Sequence, residues 1–315
     1  MKNGLIYLCC LFLVVSLAGC APQDKKKEDN TTDAPIRLEN FNRPVPPAMM
    51  SNIRERAEYM IMRYWDNFNF KDTMYCHAPE ITEQALADFI NLFPQVDSEV
   101  VARGVKRLLD SAEEDVVMYN YFYQKAEHYL YNPNSPVRND EFFIPFLEHL
   151  VSSTKVLEVS KERPRYQLNL AYRNRLGTKA TDVTYTLNSG STGTLYGISS
   201  KYILLMFVNP DCIECQRATG ALKASPAVTT AVSRGILKVL ALYPDENLEI
   251  WKQHLSDFPS SWINGYDKSL SVRNNELYDL KAIPTLYLLD KDKRVIYKDT
   301  SIDNIHYFLE ANMAN

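Results

Sequence analysis

Two cysteines separated by two residues have the most clearly defined chemistry in this sequence. They stand in the run Asp211-Cys212-Ile213-Glu214-Cys215, directly after an apolar stretch and at the start of a predicted helix. A cysteine at a helix N-terminus faces unpaired backbone N–H groups and the positive end of the macrodipole, which favour the thiolate. Cys215 lies one helical turn further on. The spacing predicts dithiol–disulfide exchange, in which Cys212 attacks a disulfide and Cys215 resolves the mixed disulfide.

A zinc site and a structural disulfide are the alternatives for this pair. Zinc would need two further ligands, and the sequence contains no second Cys-x-x-Cys and no His-x-x-x-His, so we expect no metal. A bond between Cys212 and Cys215 would close too small a loop to restrict the unfolded chain much. The pattern therefore favours redox chemistry, with the cysteine pair as the redox centre and no further cofactor.

The segments around the pair indicate an α/β sandwich over residues 176–315. Tyr202–Val208 and Ile236–Leu242 are nearly continuous apolar runs, which are typical of strands buried on both faces. The stretch between them, Glu214–Arg234, is helical apart from Pro226. Helices that alternate with buried strands indicate an α/β fold. The other predicted elements are two strands (Thr184–Leu187 and Thr194–Tyr196), a helix (Asn247–Phe258), a hairpin (Thr285–Leu289 with Arg294–Tyr297) and a closing helix (Ile302–Met313).

The residue pattern of 47–175 is different and predicts an all-α domain of five or six helices. Ile81, Ala85, Phe89 and Phe93 recur at helical spacing, so they would form one apolar face. The other predicted helices are Arg54–Phe68, Glu99–Leu109, Met118–Tyr129 and Glu141–Val151. No catalytic constellation is recognisable in this domain, and its function is not predicted.

The N-terminal residues are typical of a targeting segment. An apolar stretch too short for a comfortable membrane span, Leu5–Leu17, ends in Leu17-Ala18-Gly19-Cys20. This run resembles a bacterial lipobox, which implies a signal peptide over residues 1–19 and lipidation of Cys20. An ordinary signal peptide with a chance cysteine is the alternative. Residues 20–46 are polar and contain prolines, as expected of a flexible tether.

Cysteine usage supports the redox interpretation. Of the six cysteines, Cys9 and Cys10 would leave with the signal peptide and Cys20 would carry the lipid, which leaves three thiols. An exported protein with so few cysteines is not a disulfide-stapled scaffold. We expect Cys76 to be a small buried apolar residue, with redox sensing as the alternative. A formal net charge of −4 makes nucleic acid a poor candidate partner.

A strand, a Cys-x-x-Cys, a helix and a later Ala282-Ile283-Pro284-Thr285 before another strand resemble the thioredoxin superfamily. The resemblance covers roughly the last 140 residues. It implies a cis peptide bond at Pro284 facing the cysteines, and a substrate-binding loop of Ile283, Pro284 and Thr285 that presents backbone groups to an extended substrate. An ordinary trans proline at a strand start is the alternative. The chain also resembles membrane-tethered, thioredoxin-like reductases of the cell envelope and lipoproteins that join a helical domain to such a module.

Several residues depart from the family pattern. Met206 and Ala218 stand where thioredoxin and the related reductases keep a buried acid. Asp211 and Glu214 flank the cysteines and disfavour an adjacent thiolate. We therefore expect a reducing couple, roughly nearer the −270 mV of thioredoxin than the −120 mV of DsbA.

The sequence thus predicts a membrane-anchored thiol–disulfide oxidoreductase that reduces disulfides of envelope proteins. It would be held by a lipid at Cys20 and face the periplasm or the cell surface. Its expected partners are protein thiols and disulfides and a membrane electron donor, since a reductase in an oxidising compartment needs electrons. The alternative is a non-catalytic binding or assembly lipoprotein, in which the thioredoxin fold is a scaffold and the helical domain docks a partner.

Overall fold

A computed structural model of the protein describes residues 38–313. The predicted signal peptide, Cys20 and the first part of the predicted tether lie outside the described residues. The described residues all belong to one compact unit by their internal contacts. Within the described range, none of the helices has the length and hydrophobicity needed to span a bilayer.

Six α-helices make up the first part of the described chain, and this confirms the predicted all-α region. They are α1 (Ile53–Arg63), α2 (Thr82–Ile90), α3 (Ser98–Ala112), α4 (Val116–Leu130), α5 (Asp140–Ser152) and α6 (Glu162–Ala171). The side chains of Asn52, Asp115 and Asn139 accept hydrogen bonds from first-turn N–H groups of α1, α4 and α5. Such N-caps satisfy donors that a helix leaves unpaired, so the sequence itself sets these three starts.

Closely packed aromatic rings fill the core of the helical part. The Trp65 ring lies 5.1 Å from the Phe122 ring and 5.8 Å from the Phe89 ring, measured between centroids and in edge-on geometry. Helices α1 and α3 approach closely at Gly104, where an added Cβ would lie 2.3 Å from Cγ2 of Ile61. Edge-on aromatic packing and this close approach give a dense core.

The second part is a seven-stranded mixed sheet with helices on it. The strands are β1 (Thr184–Leu187), β2 (Thr192–Thr194), β3 (Tyr202–Phe207), β4 (Leu237–Tyr243), β5 (Ile263–Tyr266), β6 (Thr285–Asp290) and β7 (Val295–Tyr297). The helices are α7 (Ile213–Ala224), α8 (Pro226–Ser233), α9 (Leu248–Gln253), α10 (Ser271–Asn274) and α11 (Ile302–Asn312). The strand order is β2-β1-β5-β4-β3-β6-β7. The predicted α/β class is confirmed.

Strand β3 lies at the centre and every one of its residues is buried. It runs parallel to β4 and antiparallel to β6. Leu204 and Met206 face the core beneath α7, α8 and α11, whereas Ile203 and Leu205 belong to the core on the opposite face. An apolar run without alternation is the sequence pattern of such a two-faced strand.

Two sequence predictions in this part are wrong. Residues Ile263–Tyr266, which were not predicted as a strand, form β5 and pair in parallel with β4. A glycine in a strand marks a close approach, and a Cβ added at Gly265 would lie 3.0 Å from the Cβ of Tyr185. The predicted helix Asn247–Phe258 is reduced to α9 and a short 3-10 turn, Leu255–Asp257.

Four buried charges join the helical part to the sheet, and we call Asp140, Asp279, Lys281 and Lys298 the junction cluster. Asp140 is the first residue of α5, and its carboxylate lies 2.6 Å from Nζ of Lys281 and 2.8 Å from Nζ of Lys298. Lys281 also lies 2.9 Å from Asp279. Lys298 donates to the carbonyls of Ala171 and Arg173 at the end of α6, at 2.8 Å each. The negative charge of Asp140 lies at the N-terminus of α5 and the positive charge of Lys298 at the C-terminus of α6, so both interact favourably with the helix dipoles.

Candidate active site

Cys212 is the N-cap residue of α7 and follows β3 after a four-residue turn. The Cys212 N–H donates to the Asn209 carbonyl at 3.0 Å, and the Cys212 carbonyl accepts from the Gln216 N–H at 3.0 Å. The side chain of Cys212 is half-buried, and Cys215 is fully buried one turn later. The strand end and helix start therefore hold both sulfurs where the sequence predicted them.

The loop before β6 lies against Cys212. The Ile283–Pro284 peptide bond is cis, as the resemblance implied. The Ile283 carbonyl lies 3.5 Å from Sγ of Cys212 and accepts its S–H. Thr285 is buried at the start of β6 and pairs with Phe207, the last residue of β3. The sheet register thus brings the predicted loop residues and the cysteine pair to one edge.

The environment of Cys215 favours a protonated thiol. Burial raises the pKa of the Cys215 thiol, and the charges of Cys212 and Asp245 act in the same direction. The Asn209 N–H, 3.5 Å from Sγ of Cys215, opposes the rise. A buried protonated thiol behind a half-buried one suits a resolving cysteine.

Comparisons with known proteins identify the families to which the two parts of the chain are similar. A family model described as Thioredoxin-like matches residues 200–295, and a domain of unknown function (DUF5106) matches residues 19–174. The crystal structure of a thioredoxin-like protein from Bacteroides caccae is 43% identical, with a TM-score of 0.84. The alignment covers 88% of this chain and 100% of that chain. This chain belongs to the thioredoxin-like family.

Two further solved structures are similar to the thioredoxin-like part. The C-terminal domain of an uncharacterized protein from Bacteroides fragilis is 51% identical over 44% of this chain and 98% of that chain, with a TM-score of 0.43. A domain of a possible thiol-disulfide isomerase from Cytophaga hutchinsonii is 28% identical over 45% of this chain and 96% of that chain, with a TM-score of 0.41. No curated protein matches the chain significantly.

An acid that sequence reasoning missed lies near the thioredoxin-like site. Asp245 follows β4, the parallel neighbour of β3, and its Oδ2 accepts from Nδ2 of Asn209 at 3.0 Å. Its Oδ1 lies 2.5 Å from Nε of Arg273. The ends of parallel neighbours meet at one sheet edge, so Pro244-Asp245 after the second apolar run was a usable signal.

The carboxylates that flank the cysteines have basic partners. Oδ1 of Asp211 lies 3.4 Å from Nε2 of His254, whose Nδ1 lies 2.7 Å from Oδ2 of Asp257. Glu214 pairs with Arg217 on the exposed side of α7. The Arg217 charge offsets that of Glu214, so the negative field near Cys212 is weaker than a count of its acidic neighbours suggests. The potential that we expect from the sequence stays a prediction.

Cys76 is less buried than the sequence led us to expect. It packs against the helical core but is only half-buried, and its Sγ lies 3.8 Å from Sδ of Met118. Burial raises the pKa of the Cys76 thiol, as does the nearby Asp115. In the described chain Cys76 therefore belongs to the helical part and lies apart from the cysteine pair.

Proposed function

We propose that the protein catalyses thiol–disulfide exchange through Cys212 and Cys215 and reduces disulfides of envelope proteins. One observation carries the proposal: a half-buried thiol at a helix N-cap lies 3.5 Å from the Ile283 carbonyl, with a buried second thiol one turn behind it. Membership of the thioredoxin-like family supports a redox role in general.

The exchange consists of two thiolate attacks. The Cys212 thiolate attacks one sulfur of the substrate disulfide, that S–S bond breaks, and the other sulfur leaves as a thiolate that takes a proton. Cys215 then loses its proton and attacks Sγ of Cys212, so the mixed disulfide breaks and the second substrate thiol leaves. Two electrons pass from the protein dithiol to the substrate. An external dithiol donor reduces the new protein disulfide, and we propose a membrane electron-transfer protein for that role.

Asp245 is our candidate acceptor for the Cys215 proton. The two positions where related proteins carry an acid, Met206 and Ala218, are buried apolar residues here. Asp245 is held by Arg273 and Asn209, and the N–H of Asn209 points at the sulfur that must ionise. A fixed carboxylate whose charge acts on Cys215 supports this assignment.

The membrane anchor is a separate part of the proposal. We propose that Cys20 is lipidated and that residues 20–46 tether the domains to the envelope, facing the periplasm or the cell surface. Cys20→Ser should release the protein from the membrane fraction and abolish metabolic labelling with a fatty acid. Retention of the label in Cys20→Ser would contradict the anchor without affecting the redox proposal.

Insulin reduction by the purified full-length chain, with dithiothreitol as electron source, tests the activity. Cys212→Ser should lose the catalysed rate, since Cys215 is buried and Cys76 lies apart from the site, whereas Cys76→Ser should match the wild type. Cys215→Ser should accumulate mixed disulfides, which non-reducing electrophoresis separates and mass spectrometry identifies. Equal inertness of the wild type and Cys212→Ser would favour the non-catalytic scaffold instead.

A further inference from the structure

A groove of about 440 Å³ lies beside the cysteine pair, and both parts of the chain line it. The thioredoxin-like part contributes Ile283 and Pro284 and one side of α7, including Ala221. The helical part contributes Pro133 and Asn134, from the segment that joins α4 to α5. A segment outside the thioredoxin-like part therefore forms one wall of a groove next to its reactive cysteine.

The groove is continuous with the proposed reaction site. Ile283 contacts Sγ of Cys212 through its carbonyl and also lines the groove. Glu214, two residues after Cys212 on the same helix, lines it as well. A polypeptide disulfide that reaches Cys212 would place the neighbouring part of its chain against this lining.

The lining suits an uncharged segment. Ala218, Ala221 and Ala282 are small and leave room for side chains of a bound chain. Each arginine of the lining pairs with a carboxylate of the same lining: Arg138 with Asp299, at 2.9 and 3.3 Å, and Arg217 with Glu214. Because these charges are matched within the groove, it offers a ligand apolar contact and uncharged polar groups such as those of Asn134 and Thr300.

Hydrogen bonds fix the helical wall in place. Oγ of Ser135 donates to the Tyr129 carbonyl at 2.5 Å, and the Asn139 N–H donates to the Leu130 carbonyl at 2.8 Å. The two-pronged contact of Arg138 with Asp299 ties the segment to the loop before α11. Because the segment is held at both ends, a bound ligand cannot easily displace it, and the groove can favour ligands that fit.

We infer that Pro133, Asn134 and Arg138 of the helical part form a substrate-selecting wall that receives an uncharged, extended polypeptide segment adjoining the substrate disulfide. This inference rests on the proposed exchange at Cys212. It names the substrate class as disulfides within polypeptides, in preference to small-molecule disulfides, which would react without filling the groove.

The test compares two probes with the prereduced full-length protein. Second-order rate constants are measured for insulin and for 5,5′-dithiobis(2-nitrobenzoate), by acid quenching with thiol alkylation and by absorbance, respectively. Asn134→Trp fills the groove from the helical wall and Ala221→Trp from α7. Each variant should lower the ratio of the insulin rate constant to the small-probe rate constant by about tenfold or more.

Val137→Trp and Ala224→Trp are the matched controls, since both residues are exposed, lie on the same two elements and do not line the groove. Their ratios should stay near the wild-type ratio. If the groove variants change the ratio no more than the controls do, the inference is overturned while the exchange activity stands. If the wild type reacts with neither probe, the proposed function fails and the inference falls with it. Two groove variants on separate elements keep the test usable if one fails to fold.

Discussion

The helical part and the thioredoxin-like part use buried residues differently. In the helical part a single core of aromatic and aliphatic side chains lies between the helices, and it contains Trp65, Phe89 and Phe122. In the thioredoxin-like part, alternate residues of β3 and β4 belong to two separate cores, one on each face of the sheet. Only the second arrangement brings the ends of neighbouring strands together at one edge of the sheet. Asn209, Cys212 and Asp245 follow these strand ends.

The two parts nevertheless share one structural element. The junction cluster connects the start of α5 to Lys281, which stands two residues before Ile283. Lys281 also lies over the ring of Tyr131, 4.4 Å from its centroid. The helical part therefore helps to fix the loop that faces Cys212. One domain can thus contribute to the site of its neighbour by holding a loop in place.

The largest effect is expected at Asp140. Burial would raise the pKa of this carboxyl, but Lys281 and Lys298 outweigh it and hold the pKa below its ordinary value. Asp140→Asn leaves Lys298 buried with only carbonyl partners, so we expect a loss of about 3–5 kcal/mol of unfolding free energy in urea titrations. Glu249→Gln, which breaks an exposed pair with Lys252, is the control and should cost under about 1 kcal/mol.

Asp279 provides a second test of the junction cluster because its pKa is shifted upwards, in the direction opposite to that of Asp140. Burial raises the pKa of Asp279 more than Lys281 lowers it. Its ionised form therefore opposes folding at neutral pH, whereas that of Asp140 favours folding. Asp140 should lose its stabilising effect as the pH falls below about 4 and through its lowered folded-state pKa. Asp279→Asn should cost less than Asp140→Asn at pH 7; equal costs would mean that the two carboxylates are equivalent.

A smaller effect is expected at the α1–α3 contact. Ala at position 104 would press its Cβ on the buried Ile61 side chain, so Gly104→Ala should cost about 1–3 kcal/mol despite the better helix propensity of alanine. The midpoint of thermal unfolding measures it. The insulin-reduction rate below that midpoint should not change, because Gly104 lies in the helical core. A large loss of rate in the folded variant would mean that this core also supports the site.

The sequence predicted α1 to α5, the central strands and the placement of the cysteine pair at a helix start because each depends on local pattern. Apolar runs identified β3 and β4, and helical spacing identified α2 and α4. It did not predict β5, since the pairing of a short strand with Asn264-Gly265 depends on its neighbours. The same holds for the junction cluster and the groove, which join residues more than 100 positions apart. Long-range charge pairing leaves no periodic trace in a single sequence.

Asp245 offers a test with a still smaller effect. Burial is the main reason that the pKa of Cys215 is raised, and the Asp245 charge adds to it. In a Cys212→Ala background, Asp245→Asn should therefore lower the pH at which Cys215 becomes alkylated by iodoacetamide, while burial keeps that pH above the range of a free cysteine. Asp257→Asn, which changes a carboxylate outside this contact set, is the control. An unchanged or higher alkylation pH would exclude an electrostatic effect of Asp245 on Cys215.

The smallest effect is expected from the acid between the cysteines. Removing the Glu214 charge should stabilise the Cys212 thiolate, and so the reduced form, which makes the couple less reducing. The shift should be small, under about 30 mV, because Glu214 is exposed and already pairs with Arg217. Titration against glutathione buffers measures Glu214→Gln beside the wild type, which we expect nearer to roughly −270 mV than −120 mV. Glu249→Gln, which breaks a similar exposed pair with Lys252 on α9, should leave the potential unchanged. A wild-type potential close to that of DsbA would reject the reducing direction, because it would show that the helix N-terminus stabilises the thiolate far more than the flanking carboxylates oppose it.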